Sequence, residues 1–405
     1  MREALAVSRK LLDENPRHPT LPIAIANQLV RLGREDEALS MLRLAIRRAP
    51  QSAVAWESLA DLRTFRREDP EFVELERLAR ASDDRPESAG FAYALAKAYD
   101  DVGEVDQAFQ WLARGSRRVL DGRVPRLENL FTEAAAACAA FPRQRLEASP
   151  HSDRPERPIL VLGCPRSGTT LIERILATAP GAASGGELKL LRLACLGFSP
   201  PSPERVADFV RSSGGEASAW RRAADTYVGK LQNRFGHADG LIDKGLVNYL
   251  YVGALALGLP QARILYMRRD PMDVGWSCYR RRFHQGLHWS YDFESIAAFM
   301  RVYEGIMDYW KQNLPGRILT VEFEQLLSDP EGQTARIFEF AGLDRPDDWR
   351  SFHEKRGVVL TSSRQQVRRP LHTDGVGAWR RYEQHLGPLE AALARYGVAR
   401  SPAAR

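Results

Sequence analysis

The residues best suited to chemistry begin at Gly163, where GCPRSGTT follows the apolar run ILVLG and precedes the amphipathic stretch LIERILATAP. A strand, a glycine loop and a helix in that order aim backbone N–H groups and the positive end of a helix at a phosphate-like anion. The loop fits GxxxxG, yet Thr169 stands where a nucleotide triphosphatase carries its lysine. Without that lysine, and with no second acidic metal site evident, Mg²⁺-dependent γ-phosphoryl transfer is disfavoured. Arg166 supplies the positive charge from inside the loop instead. Histidines such as His284, His288, His353 and His372 show no ligand spacing, so no metal is expected.

The elements that must hold this loop can be read from the alternation around it. ILVLG lacks a period of two, as a strand buried on both faces does. ARILYMRRD reads as a strand and loop, PMDVGWSCYRRRF as a helix, and GRILTVEFEQLLSDPEGQTARIFEFAGL as a strand followed by helices. This pattern predicts a P-loop-type, doubly wound α/β domain with a central parallel sheet and ligands at the carboxyl ends of its strands. The aromatic stretch HQGLHWSYDFESIAAFMRVYEGIMDYW has helical spacing and reads first as core, with an acceptor groove as its other use.

The first third of the chain is different. EALAVSRKLLDENP and EALSMLRLAIRRAP match at a period of 34, Pro16 to Pro50 and Ala4 to Ala38, which is the period of the tetratricopeptide repeat. Trp56, Leu59 and Ala60 fall at first-helix positions of such a unit, and Gly33, Ala38, Leu42 and Ala45 at its turn and second helix. A further unit places Leu95, Ala96, Tyr99, Gly103 and Ala108 in the same roles, with two extra residues assigned to REDPEFVELERLARASDDRPES. Each helix pair leaves one face unburied until a neighbour stacks on it, so a helical repeat array is expected over residues 1–142. Such an array either docks peptides or helices or serves as scaffold or dimer surface. The chain opens on what reads as a second helix, through truncation or as an uncapped face. Residues 143–157, rich in Pro, Arg and Ser, read as a linker, and 158–405 as the α/β domain.

Composition narrows the function classes. Of 405 residues, 44% are hydrophobic and 27% charged, too apolar for disorder and long enough for two domains. The net charge of +6 comes from arginine-rich sequence in which acids and bases are interspersed, so no nucleic-acid stripe is expected although an anionic ligand is suited. Four cysteines without a CxxC pair indicate neither a zinc ribbon nor a disulfide framework. With no signal-peptide core and no run of eighteen apolar residues, a cytoplasmic protein without an integral membrane segment is expected.

The motifs resemble the sulfotransferases that use 3′-phosphoadenosine 5′-phosphosulfate, PRSGTTL matching their loop for the 5′-phosphosulfate and RRDPMDVGWSCYRRR their element for the 3′-phosphate. The match is nearest to the tyrosylprotein sulfotransferases, which carry Arg in that loop, and extends over roughly 158–382. Joined to the repeats, the chain resembles the bacterial repeat-containing sulfotransferases.

The resemblance implies that Arg166, Ser167, Gly168, Thr169 and Thr170 cradle the phosphosulfate. It implies that Arg269 and Ser277 grip the 3′-phosphate, with Arg281 one helical turn beyond. Glu187, twenty-one residues past Arg166, falls at the catalytic carboxylate, although Gly186 and Leu188 replace its usual neighbours. Lys244 in LIDKGLVN matches the lysine that stabilises charge on the bridging oxygen, and it is a scarce lysine in an arginine-rich chain. Ser363 matches the serine of a closing segment anchored by Trp379 and Arg380, and Phe323 replaces a tyrosine beside the nucleotide. The implied reaction is metal-free sulfonate transfer to a peptide tyrosine, with carbohydrate, lipid or small-molecule hydroxyls as alternative acceptors. A repeat adaptor with a nucleotide-sensing loop is the non-catalytic alternative, and a homodimer stays open.

Overall fold

The computed structural model describes residues 2–123, 126–148, 152–236, 238, 240–283, 287–354 and 369–400. The N-terminal region is helical: α1 (Arg2–Glu14), α2 (Leu21–Arg31), α3 (Glu35–Arg48), α4 (Ala53–Ala60), α5 (Pro70–Ala81), α6 (Ala89–Asp101), α7 (Val105–Leu120), α8 (Leu127–Ala140) and α9 (Arg143–Ala148). The second part contains β1 (Ile159–Gly163), α10 (Thr169–Leu176), β2 (Ala182–Ser184), α11 (Leu190–Ala194), α12 (Pro203–Ser212), α13 (Glu216–Phe235), β3 (Gly240–Asp243), α14 (Val252–Gly258) and β4 (Arg263–Arg268). It continues through α15 (Pro271–Tyr279), α16 (Phe293–Asn313), β5 (Ile318–Glu322), α17 (Phe323–Ser328), α18 (Pro330–Ala341) and α19 (Gly387–Arg395).

Small residues explain the packing of the helical region. Ala38, Leu42 and Ala45 of α3 and Ala92, Ala94, Ala96 and Ala98 of α6 are buried, so helix axes approach closely. Trp56 is buried, and its indole N–H donates to the Pro50 carbonyl at 2.9 Å, which links the two most conspicuous residues of that unit. The stretch with the two extra residues contains α5, followed by a short 3₁₀ turn at Pro86–Ser88. The segment read as a linker opens with α9, whose Leu146 is buried.

Among the described residues five strands form the sheet, all parallel, in the order β2-β3-β1-β4-β5. Alternation along β1 divides the surrounding core in two. Leu160 and Leu162 join one cluster, and Ile159 and Val161 join the other with Ile172, Ile175, Leu265 and Phe338. The first cluster runs without a break into the helical region, through Trp310, Tyr93 and Trp111 to Leu29. The two parts of the chain thus share one core. The aromatic stretch forms a short 3₁₀ turn and α16, whose Phe299, Tyr303, Met307 and Trp310 are buried there. Among the described residues, no helix is long and apolar enough to cross a membrane.

Tight packing at one junction yields a stability prediction. A Cβ at Gly253 of α14 would lie 2.3 Å from Cγ of the buried Phe141, so Gly253→Ala forces one of two packed elements to move. The substitution is expected to cost about 1–3 kcal/mol, read as a lower denaturation midpoint. An unchanged midpoint would contradict this packing.

Candidate active site

The loop bearing Arg166, the segment bearing Arg269 and Ser277, and the residues Glu187 and Lys244 each follow the carboxyl end of a strand. The loop after β1 turns into α10, whose first turn presents Thr169 and Thr170. Arg166 has φ +73°, a left-handed conformation that costs a non-glycine residue on the order of 1 kcal/mol. Two hydrogen bonds hold it there: Arg269 Nη1 donates to the Arg166 carbonyl at 3.0 Å, and Arg166 Nε donates to Ser277 Oγ at 2.8 Å. Gly168 passes so close to Phe323 that a Cβ would sit 2.6 Å from the ring. The loop after β1 is therefore pinned against α15, which follows β4.

Between the loop, α15 and the helical region lies a cavity of about 360 Å³. Arg166, Arg269, Arg280, Arg281, Arg282 and Arg369 line it, together with Ser277. A smaller adjoining cavity of about 60 Å³ is lined by Gly168, Thr170, Phe323, Phe352 and Leu371. Burial pushes Arg166 down to about 9, and Arg281, Arg269 and Arg280 push the same way. Burial also lowers Arg269, which Asp273 partly offsets. An anion among these guanidiniums would relieve both effects. Ser167 Oγ and Arg269 Nε are among the polar atoms buried without a hydrogen-bond partner among the described residues. Both belong to groups that a bound phosphate or sulfonate would satisfy.

Carboxylates from the helical region reach the same cavity. Asp61, just past α4, accepts from Arg281 Nη1 with both oxygens at 3.1 Å, and Glu57 accepts from Arg282 at 2.6 Å. Asp100 of α6 pairs with Arg280 at 3.4 Å and with Arg381 at 2.9 Å, and it accepts from Tyr382 Oη at 2.6 Å. Lys97 also lines the cavity.

On the other side of β1, at the end of β3, Lys244 Nζ lies 3.0 Å from Glu187 Oε1. The lysine side chain is 1% exposed and the glutamate 34%, so the carboxylate is the accessible member of the pair. Asp243, next to Lys244, accepts from Tyr227 Oη at 2.7 Å and from the Gly245 N–H at 2.9 Å, and its burial raises it to about 6. The network fixes the backbone that carries Lys244.

The structure thus brings Arg166, Arg269, Ser277 and Arg281 to one cavity, and Glu187 and Lys244 to one pair beside it. Arg281 differs from expectation in its surroundings. α15 stops at Tyr279, so Arg281 lies beyond the helix and is engaged by Asp61. Phe323 carries the Arg269 guanidinium on its face at 4.6 Å. Ser363 lies outside the described residues. Trp379 is held through its backbone N–H by Asp273 Oδ1 at 3.3 Å, and Gly377 N–H donates to Asp273 Oδ2 at 2.7 Å. Asp273, Arg369, His372 and the carboxylates Glu57 and Asp61 escaped the sequence reading. Only Asp273, one helical turn after Arg269, had a local signal.

Comparison with known proteins bears on the α/β segment. The model described as Sulfotransferase family matches residues 158–347, so this segment forms a sulfotransferase family domain. An uncharacterised Aquifex aeolicus protein is 25% identical over 96% of this chain and 52% of its own length, so the chain spans about half of that relative. A Caenorhabditis briggsae protein provisionally named a protein-tyrosine sulfotransferase is 27% identical over 55% of this chain and 81% of its own. A Mycobacterium bovis protein named omega-hydroxy-beta-dihydromenaquinone-9 sulfotransferase is 23% identical over 36% of this chain and 39% of its own.

The buried carboxylate at the domain junction has a pH signature. Burial pushes Glu57 up to about 7, opposed by Arg282. The folded protein then holds this proton to higher pH than the unfolded chain, whose glutamates titrate near ~4.5. Its stabilising contribution is present at low pH and lost as pH rises through about 7. Glu57→Gln is expected to flatten the fall in denaturation midpoint between about pH 5 and pH 8. Superimposable profiles for the two proteins would contradict it.

Proposed function

We propose that this chain is a sulfotransferase that moves a sulfonate from 3′-phosphoadenosine 5′-phosphosulfate to an acceptor hydroxyl, with a peptide tyrosine as the acceptor. The observation that carries the reading is the convergence of Arg166, Arg269 and Ser277 on one arginine-lined cavity, flanked by the Glu187–Lys244 pair. The donor has two anionic ends. The loop amides, Ser167, Thr169, Thr170 and Arg166 suit the 5′-phosphosulfate, and Arg269, Ser277 and Arg281 suit the 3′-phosphate. Phe323 and the smaller cavity suit the base by stacking.

The reaction is an in-line displacement at sulfur. The acceptor oxygen forms a bond to sulfur while the bond from sulfur to the bridging oxygen breaks, and that oxygen leaves with the electron pair on adenosine 3′,5′-bisphosphate. Glu187 takes the acceptor's proton. Lys244 and Arg166 stabilise the charge that develops on the bridging oxygen and sulfonate. Lys244 also holds the Glu187 carboxylate in place until an acceptor enters.

The tyrosine acceptor is supported by the arginine-bearing loop, by Glu187 at the carboxylate position and by the Caenorhabditis relative. The tetratricopeptide character of the N-terminal helices supports a peptide partner docked by the same chain. A lipid-like or small-molecule hydroxyl is the second reading, favoured by the likeness to the menaquinone enzyme.

Calorimetric titration with adenosine 3′,5′-bisphosphate, with ATP and Mg²⁺ as comparison, tests the donor class. Binding is expected to favour the bisphosphate and to weaken at least ~10-fold in Arg269→Ala, the loss of one charge-assisted contact. A preference for ATP and Mg²⁺ would overturn the reading. A panel of tyrosine peptides, glycans and quinol-type lipids then identifies the acceptor. Glu187→Ala and Lys244→Ala are each expected to lower kcat by roughly 10²-fold or more while the nucleotide still binds. Wild-type rates in either variant would refute its assigned role.

A further inference from the structure

Glu173 is a buried carboxylate that the reaction above does not use. It lies on α10, one turn after Thr169, and is 5% exposed. No cation pairs with it among the described residues. Burying a carboxylate is costly unless hydrogen bonds compensate, and here two do. Its Oε1 accepts from the Gly186 N–H at 2.7 Å and from the Ser184 hydroxyl. Both donors belong to the end of β2 and the turn that follows, directly before Glu187.

Gly186 is the node of that turn. Its N–H is held by Glu173, and its carbonyl accepts from the Leu188 N–H at 2.9 Å and from the Lys244 N–H at 3.4 Å. Its φ is +73°, a conformation a turn can hold with glycine at little cost. Glu187 follows in sequence and meets Lys244 Nζ at 3.0 Å. One buried carboxylate therefore ties the helix behind the anion loop to the turn that carries Glu187 and, through the same glycine, to the backbone of Lys244.

We infer that Glu173 is a positioning residue that sets the Glu187–Lys244 pair relative to the anion loop. The inference rests on the proposed roles of Glu187 and Lys244. It requires an acceptor oxygen at position 173 rather than a negative charge, because both partners are donors. Glutamine satisfies that requirement and alanine does not.

Full-length wild type, Glu173→Ala, Glu173→Gln and Ser184→Ala are compared in two measurements. The first is steady-state transfer from 3′-phosphoadenosine 5′-phosphosulfate to a tyrosine peptide, with affinity for adenosine 3′,5′-bisphosphate measured on the same samples. Glu173→Ala is expected to lower kcat by roughly 10²-fold, the scale of a misplacement near 1 Å, with nucleotide affinity within about twofold of wild type. Glu173→Gln is expected to stay within about threefold of wild type, and Ser184→Ala to fall by about fivefold.

The second measurement is hydrogen exchange at the amides of 184–190, which needs no acceptor. Exchange is expected to be at least ~10-fold faster in Glu173→Ala and unchanged in Glu173→Gln. Unchanged exchange in Glu173→Ala overturns the inference, as does a glutamine variant that falls as far as the alanine one. If Glu173→Ala does not fold, Ser184→Ala decides: a kcat lowered about fivefold with faster exchange at 184–190 upholds the inference, and wild-type kcat with unchanged exchange overturns it. Failure of the nucleotide to bind wild type would instead sink the donor reading, and the exchange result would still judge Glu173.

Discussion

Mutual repulsion among guanidinium groups is the constraint around which this structure is arranged. Arg166, Arg269, Arg280, Arg281 and Arg282 are gathered at the carboxyl end of the sheet, where burial disfavours the charge of Arg166 and Arg269 and the neighbouring guanidiniums add to the effect at Arg166. Such a cluster persists only with counter-charges. The α/β domain supplies Asp273 to Arg269, and the helical region supplies Glu57, Asp61 and Asp100 to the three consecutive arginines after α15. The helices are therefore more than a neighbour of the sheet. They neutralise one wall of its anion cavity, and the continuous core between the two parts keeps those carboxylates in place.

The order of strands explains why the arginine-lined cavity and the Glu187–Lys244 pair occupy separate sides of one loop. β1 is central, with β4 on one side and β3 on the other. Residues after β4 meet the anion cavity, and residues after β3 meet Glu187. Arg166 on the loop bonds to Ser277 on the β4 side, and Glu173 on its helix bonds to the turn after β2, so loop and helix together link the two halves. The proposed in-line displacement would use this separation, since nucleophile and leaving group lie on opposite sides of the sulfur.

Much of this was legible in the sequence, and the reasons differ by element. The anion loop was readable because strand, glycine, arginine and helix are contiguous, so local geometry carries the signal. Pro50 stood out because it recurs 34 positions after Pro16, whereas the hydrogen bond from Trp56 to its carbonyl is a contact that this recurrence did not show. β2 was not, because three residues without large side chains carry no periodicity; its parallel pairing with β3 holds it in the sheet. Asp61 and Arg281 are separated by 220 positions, and nothing local marks either as the other's partner. Glu173 looked like the polar face of an amphipathic helix. Its burial follows from the turn after β2 folding over it, which is a property of tertiary structure alone.

The contacts between the acidic helices and the arginine turn also impose an order on synthesis. α4 and α6 leave the ribosome more than 170 residues before Arg280, and N-terminal units generally fold first. Their carboxylates have thus been synthesised well before the arginine triplet they pair with. The nascent α/β domain does not have to gather its own cations unaided. It closes its sheet against a template of opposite charge, and the anion cavity comes into being in the same step that joins the two parts of the chain.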